Sequence, residues 1–129
     1  MNERMIKEHI DVSIGELWDK YTILLIKKEF IKNEDKLKHI LLEIELLDNN
    51  MKKYDKENNM FIELKNINQQ LWNIEDAIRI KEMNKEFDEE FITLARNVYI
   101  TNDKRCICKQ NINDFYGSCI QEVKEYVHY

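Results

Sequence analysis

Proline is absent from this chain of 129 residues, and glycine occurs only at Gly15 and Gly117. Turn-dense β folds need both residues at their reversals, so the shortage excludes an all-β architecture, and it leaves no glycine-rich phosphate loop. Cysteine is scarce too. Cys106, Cys108 and Cys119 are odd in number and follow no secretion signal, so reduced thiols are expected and a disulfide framework is not. They also make a poor zinc set, because Cys106 and Cys108 on a helix point about 200° apart and only His128 is near enough in sequence to add a ligand. No metal site and no cofactor is expected. Nothing resembles a nucleophile elbow, and the remaining histidines, His9 and His39, are remote from the cysteines, which disfavours cysteine catalysis.

Long apolar runs are missing as well. The longest, Ile23 to Ile26, is far too short for a bilayer, and the opening MNERMIKEHI lacks the apolar core of about 7–15 residues that a signal peptide carries. A soluble, cytoplasmic protein with no membrane partner is expected. The net charge is -5, with lysines and carboxylates mixed along the chain, so there is no one-signed basic face of the kind nucleic acid demands.

What is present is helical periodicity. Ser13-Ile14-Gly15-Glu16 reads as a capping box opening a first helix to about residue 32. Its apolar residues form two stripes (Ile14, Leu17, Tyr21, Leu24 and Leu25; Ile23, Ile26 and Phe30), which places it centrally. The set Leu37, Ile40, Ile44, Leu47, Met51 and Tyr54 marks a second helix. Met60, Leu64, Ile67, Leu71, Ile74 and Ile78 mark a third, with the polar run 54–59 as the break. Phe87, Phe91, Leu94, Ala95 and Val98 mark a fourth after a break near Asn84. A short fifth is expected from Thr101 or Asn102 to Gly117, with Thr101-Asn102-Asp103 as its start. The predicted fold is all-α: one domain over 1–129, an antiparallel bundle of four long helices plus a short C-terminal helix, with an arm at 1–12 and a tail at 118–129.

The composition also has a bias. There are 16 lysines against 4 arginines and 18 isoleucines against 2 alanines, as an AT-rich genome would give. Arginines kept against that drift are informative, since the guanidinium fork grips carboxylate or phosphate in a way lysine does not. Arg79, Arg96 and Arg105 fall in LWNIEDAIR (71–79), FITLARNVY (91–99) and TNDKR (101–105), and both alanines, Ala77 and Ala95, fall in the first two. Acidic counterparts are at hand. Glu75 leans toward the third seam with Arg79 one turn on, Asp76 points further out, Glu16 and Lys20 share a line on the first helix, and Asp19 lies on its second apolar stripe. Three readings stay open: a closed network in which Glu16, Asp19, Glu75 and Asp76 neutralise the arginines, an open cleft holding an anion, and solvated surface charge. A helix start at Thr101 beside Arg96 and Arg105 would itself be an anion pocket.

Taken with their order and spacing, VSIGELWDKYTILLIK (12–27), LWNIEDAIR, FITLARNVYITNDKR (91–105) and the tail through GSCIQEVKEY (117–126) resemble an uncharacterised family of small, mostly bacterial helical proteins, a domain of unknown function. The resemblance brings no established activity. It implies a shared polar site at Glu16, Asp19, Lys20, Glu75, Asp76, Arg79, Arg96, Tyr99, Asn102, Asp103 and Arg105. Through the association of such relatives with surface-polysaccharide genes, it also implies a sugar or nucleotide-sugar ligand. The tail departs from the family pattern, with SCIQEVKEY in place of a more acidic ending.

Functions of different classes fit these residues. One is a binding module, or a noncanonical enzyme, for a phosphorylated, sulfated or nucleotide-linked sugar. Arg79, Arg96 and Arg105 would clamp the anion, and Trp18, Trp72 or Tyr99 would offer a ring face. Another is an interaction protein, such as a homodimer or adaptor, that uses the seams at 37–54 and 60–78. A third is a Mg²⁺-dependent all-α nucleotide pyrophosphohydrolase that would use the E-x-x-D pair Glu16 and Asp19, although its carboxylate order differs from that of such enzymes.

Overall fold

The computed structural model describes residues 6–129; the first five residues of the expected arm lie outside the described residues. Four helices and no strand are found among them: α1 (Ile14–Phe30), α2 (Glu34–Met51), α3 (Asn59–Met83) and α4 (Glu89–Tyr116). Each starts at a residue whose side chain accepts a hydrogen bond from one of the helix's first amides: Ser13, Asn33, Asn58 and Asp88. The expected breaks at 54–59 and near Asn84 are present. The separate fifth helix is not. Residues 101–116 continue α4 without interruption, and Gly117 ends it in the left-handed conformation (φ 66°) that glycine adopts without steric cost.

Thr101, Asn102 and Asp103 therefore sit in mid-helix, and the anion pocket expected from free amides there does not exist. Cap-forming residues start helices when their side chains bond local amides. Here those side chains are used elsewhere, since Thr101 is buried, Asn102 meets Arg105 and Asp103 meets the tail.

Helix α1 is central as its two stripes require. It packs against α2, α3 and α4, whereas α2 lies against α1 alone among the helices. Trp18, fully buried, is the aromatic hub. Its ring meets those of Tyr54, Phe61 and Tyr116 at 5.3, 5.8 and 5.3 Å, which ties α1 to the α2–α3 loop, α3 and the end of α4. Its Nε1–H has no hydrogen-bond partner among the described residues, the cost of seating an indole among rings. Tyr21, Leu24, Ile40, Ile44, Met51, Leu64, Ile67, Cys108 and Ile112 complete the core.

The start of α1 is closed by α4 and the tail. The amide of Ile14 donates to Ser118 Oγ (3.2 Å), that of Gly15 to Asn113 Oδ1 (2.6 Å), that of Glu16 to Ser13 Oγ (3.0 Å) and that of Leu17 to the Ser13 carbonyl (3.1 Å). The amides of Ile14, Gly15 and Glu16, which have no partner inside the helix, are thus satisfied within the protein, and that of Leu17 makes the first intrahelical bond. Half of the expected capping box is present, because Glu16 turns to Lys109 instead of back to Ser13.

Gly15 is needed for this approach. A Cβ there would stand 2.7 Å from the Lys109 carbonyl oxygen and 3.0 Å from Asn113 Oδ1. Gly15→Ala is expected to destabilise the protein by about 1–3 kcal/mol despite alanine's better helix propensity, read as a lowered urea midpoint with unchanged slope.

Candidate functional site

Glu16 and Asp19 lie three residues apart on α1, and Arg105 and Lys109 lie four apart on α4, so each pair occupies one helix face. The two faces meet. Asp19, 1% exposed, accepts from Arg105 Nε at 2.9 Å through one oxygen and from Arg105 Nη2 through the other, the two-pronged geometry expected of a guanidinium. Asn68 of α3 donates to the same carboxylate at 2.9 Å and also to Thr22 Oγ1, whose hydroxyl is bonded to the Asp19 carbonyl. Arg105 Nη1 reaches Asn102 at 3.3 Å.

Lys109, 5% exposed, is ringed by carboxylates: Glu16 at 2.7 Å, Glu122 of the tail at 3.0 Å and Asp19 at 3.5 Å. The network thus joins α1, α3, α4 and the tail. Burial by itself would push the Asp19 carboxyl up, but Arg105, Asn68 and Lys109 outweigh it and hold the group below the usual aspartate range. The bond to Asp19 holds Arg105 above its ordinary value. For Lys109, burial acts against the ammonium, and Glu16, Asp19 and Glu122 reverse the balance upward. Asp19, Arg105 and Lys109 are therefore locked in their charged forms, the opposite of the poise near neutrality that a general acid or base needs.

The other expected site residues lie elsewhere. Lys20 pairs with Glu43 at 2.8 Å, and Arg79 pairs with Glu75 at 3.4 Å one turn away on its own helix, both exposed arrangements. Asp76 and Arg96 are exposed and take part in no ion pair or hydrogen bond among the described residues. The three arginines do not converge. Trp18 is fully buried and offers no ring face, and Trp72 is half-buried with its ring stacked on Phe30 at 5.8 Å. Among the described residues no group of three or more His, Cys, Asp or Glu side chains could hold a metal ion.

Tyr99, Asn102, Asp103 and Arg105 do come together, on one wall of a cleft of about 890 Å³ between α4 and the tail. The tail supplies the opposite wall with Lys124, Tyr126, His128 and Tyr129. Tyr129 is anchored at both ends of its ring, its hydroxyl donating to Asp103 and its edge meeting Tyr99 at 5.1 Å. Cys106 and Ile107 of α4 also line it. Cys108 is core instead: its thiol faces the Met60 carbonyl, and burial pushes it up to about 11. All three cysteines are free.

Sequence reasoning missed Lys109, Asn68, Thr22 and Glu122. Lys109 was legible as the residue one turn after Arg105, and Asn68 as a polar side chain one turn after Leu64 on an apolar seam. Glu122 carried no signal, because only the folded tail brings it in.

A four-helix protein knit by a buried ion-pair network, with a cleft under its C-terminal tail, is the class that these features define. The chain belongs to the family of unknown function DUF6165, whose profile matches residues 8–128, nearly its whole length. No curated protein and no solved structure matches it significantly.

The network sets an acid limit. A carboxyl whose folded value is depressed contributes stability above its unfolded value, roughly 3.9, and loses it as pH falls through the folded value. Asp19→Asn is expected to cost about 3–5 kcal/mol at pH 7, because Arg105 is left without its charge partner. It is also expected to flatten the decline in stability of the parent below about pH 4, checked by urea melts across that range.

Proposed function

We propose that the chain is a binding module for an anionic sugar, phosphorylated or nucleotide-linked, taken up in the cleft between α4 and the tail. The observation that carries this reading is the lining of one cleft by three tyrosines, Tyr99, Tyr126 and Tyr129, together with Lys124, His128 and the partly exposed edge of Arg105. Its volume falls within the range of about 300–1,000 Å³ usual for small-molecule pockets. Tyrosine faces suit a sugar or a base, the cations suit phosphate, and Asn102 and Asp103 suit hydroxyls. Arg79 and Arg96 take no part in this clamp; Arg105 contributes from a position fixed by Asp19.

The Asp19–Arg105–Lys109 network is architectural on this reading. Its groups are matched to one another, which favours the closed-network reading for that part of the cluster. The same pairing weighs against a Mg²⁺-dependent pyrophosphohydrolase, since both oxygens of Asp19 and one of Glu16 already meet Arg105 or Lys109.

A thermal-shift panel of nucleotide sugars, sugar phosphates, sulfated sugars and nucleoside triphosphates, each with and without Mg²⁺, tests the proposal. A ligand at 100 times its Kd is expected to add about 2.7 kcal/mol, a shift of several degrees, and to lose it in Tyr99→Ala and Lys124→Ala. A flat panel, or a shift that survives both substitutions, would sink it.

A further inference from the structure

Beyond Gly117 the chain turns back along α4. Gln121 accepts from Gln110 at 3.0 Å, Glu122 pairs with Lys109 at 3.0 Å, and Tyr129 reaches Asp103 and Tyr99, so rising tail numbers meet falling helix numbers. The return is held unevenly. At its start Ser118 is bonded to the first amide of α1, and the Glu122 carboxylate meets a buried lysine that also holds Glu16 and Asp19. At its end the anchor is one hydroxyl bond and one ring edge, on a tyrosine that is 76% exposed. Between the two ends the ion pair of Lys124 with Glu122, at 3.5 Å, stays within the tail. No backbone-to-backbone hydrogen bond holds any residue from 119 to 129, and none of these residues is buried.

The two anchors are also closer together than the chain that joins them is long. Lys109 and Asp103 are separated by a helical rise of about 9 Å, whereas the stretch from Glu122 to Tyr129 reaches about 23 Å when extended. The excess chain bows off α4, and the cleft is the space beneath it, with Tyr126, Val127 and His128 on the side of the bow. A smaller cavity of about 370 Å³ lies under its start at Val123 and shares Cys106, Ile107 and Lys124 with the cleft. Apolar contact does not fasten the bow, since Val123 and Val127 are 88 and 93% exposed and Ile107 of α4 is 62% exposed. A segment pinned at two points by polar contacts, with no buried apolar area, belongs to the part of a fold that opens locally at least cost.

We propose that residues 123–129 are a strap that gates the cleft, pivoting at the Glu122–Lys109 pair and latched by Tyr129 on Asp103 and Tyr99. Release of the latch lifts the strap from α4 and admits a solute. This deepens the binding reading by naming how its site is opened, and rests on that reading for the identity of what enters; the motion itself is tested without a ligand.

Two rates measured on the full chain report it. Alkylation of Cys106 by N-ethylmaleimide reads access to the cleft that this thiol lines, and trypsin cleavage after Lys124 reads lifting of the strap, because a protease takes its substrate extended and clear of the helix. Peptide mass spectrometry follows both, with the exposed Cys119 as the reference for intrinsic thiol reactivity. Tyr129→Phe removes the hydroxyl that holds Asp103 and keeps the ring, so it loosens the latch without uncovering Cys106 by loss of bulk. It is expected to raise both rates by about three- to tenfold, as the loss of one hydrogen bond implies, with Cys119 labelling and far-ultraviolet circular dichroism unchanged. Equal rates in parent and variant, or an increase in only one of the two, overturn the strap. Faster rates with a flat thermal-shift panel uphold the strap and sink the binding reading; a ligand-induced shift with equal rates does the reverse.

Discussion

A carboxylate inside a helical core must be neutralised by groups that arrive with the right geometry, and Asp19 imposes that demand here. It stands on the most buried helix, flanked by Trp18 and close to Tyr21 and Thr22, where water cannot solvate it. The Arg105 fork meets both of its oxygens and Asn68 adds another donor, so α1, α3 and α4 can assemble in only one register without stranding a charge. Replacing such a network by apolar side chains often costs nothing, so its value lies in specifying geometry more than in adding net stability.

Several other features follow from that fixed register. Lys109, one turn beyond Arg105, is brought beside Glu16 and recruits Glu122 from the tail. The same alignment seats Asn113 and Ser118 against the first amides of α1, with Gly15 making room. The tail is thereby held along α4, and the cleft exists only because the tail is there. Ionic core and cleft are thus linked: Arg105 faces Asp19 on one side and lines the cleft on the other.

The helices were legible because their apolar residues recur at helical spacing with good caps between them. The stretch at Thr101 misled for a physical reason. Thr, Asn and Asp favour helix starts when their side chains bond local amides, and nothing local reveals that a buried contact, an arginine and a tyrosine from the tail will use those side chains instead. Arg105 makes a two-pronged bond to Asp19 that lysine could not make, whereas Arg79 and Arg96 lie exposed on α3 and α4 and do not join it. Attending to arginine also hid Lys109, an ordinary lysine in a lysine-rich chain that became special by burial alone.

By itself the sequence determined an all-helical chain, the breaks near 54–59 and 84, the centrality of the first helix and the presence of charges that an apolar stripe does not tolerate alone. These are local properties, fixed by side-chain periodicity and capping within a few turns. Tertiary structure decided which charge meets which. Pairings such as Asp19 with Arg105 and Lys109 with Glu122 depend on how helices far apart in the chain align and where the tail is laid, and no local spacing encodes that alignment.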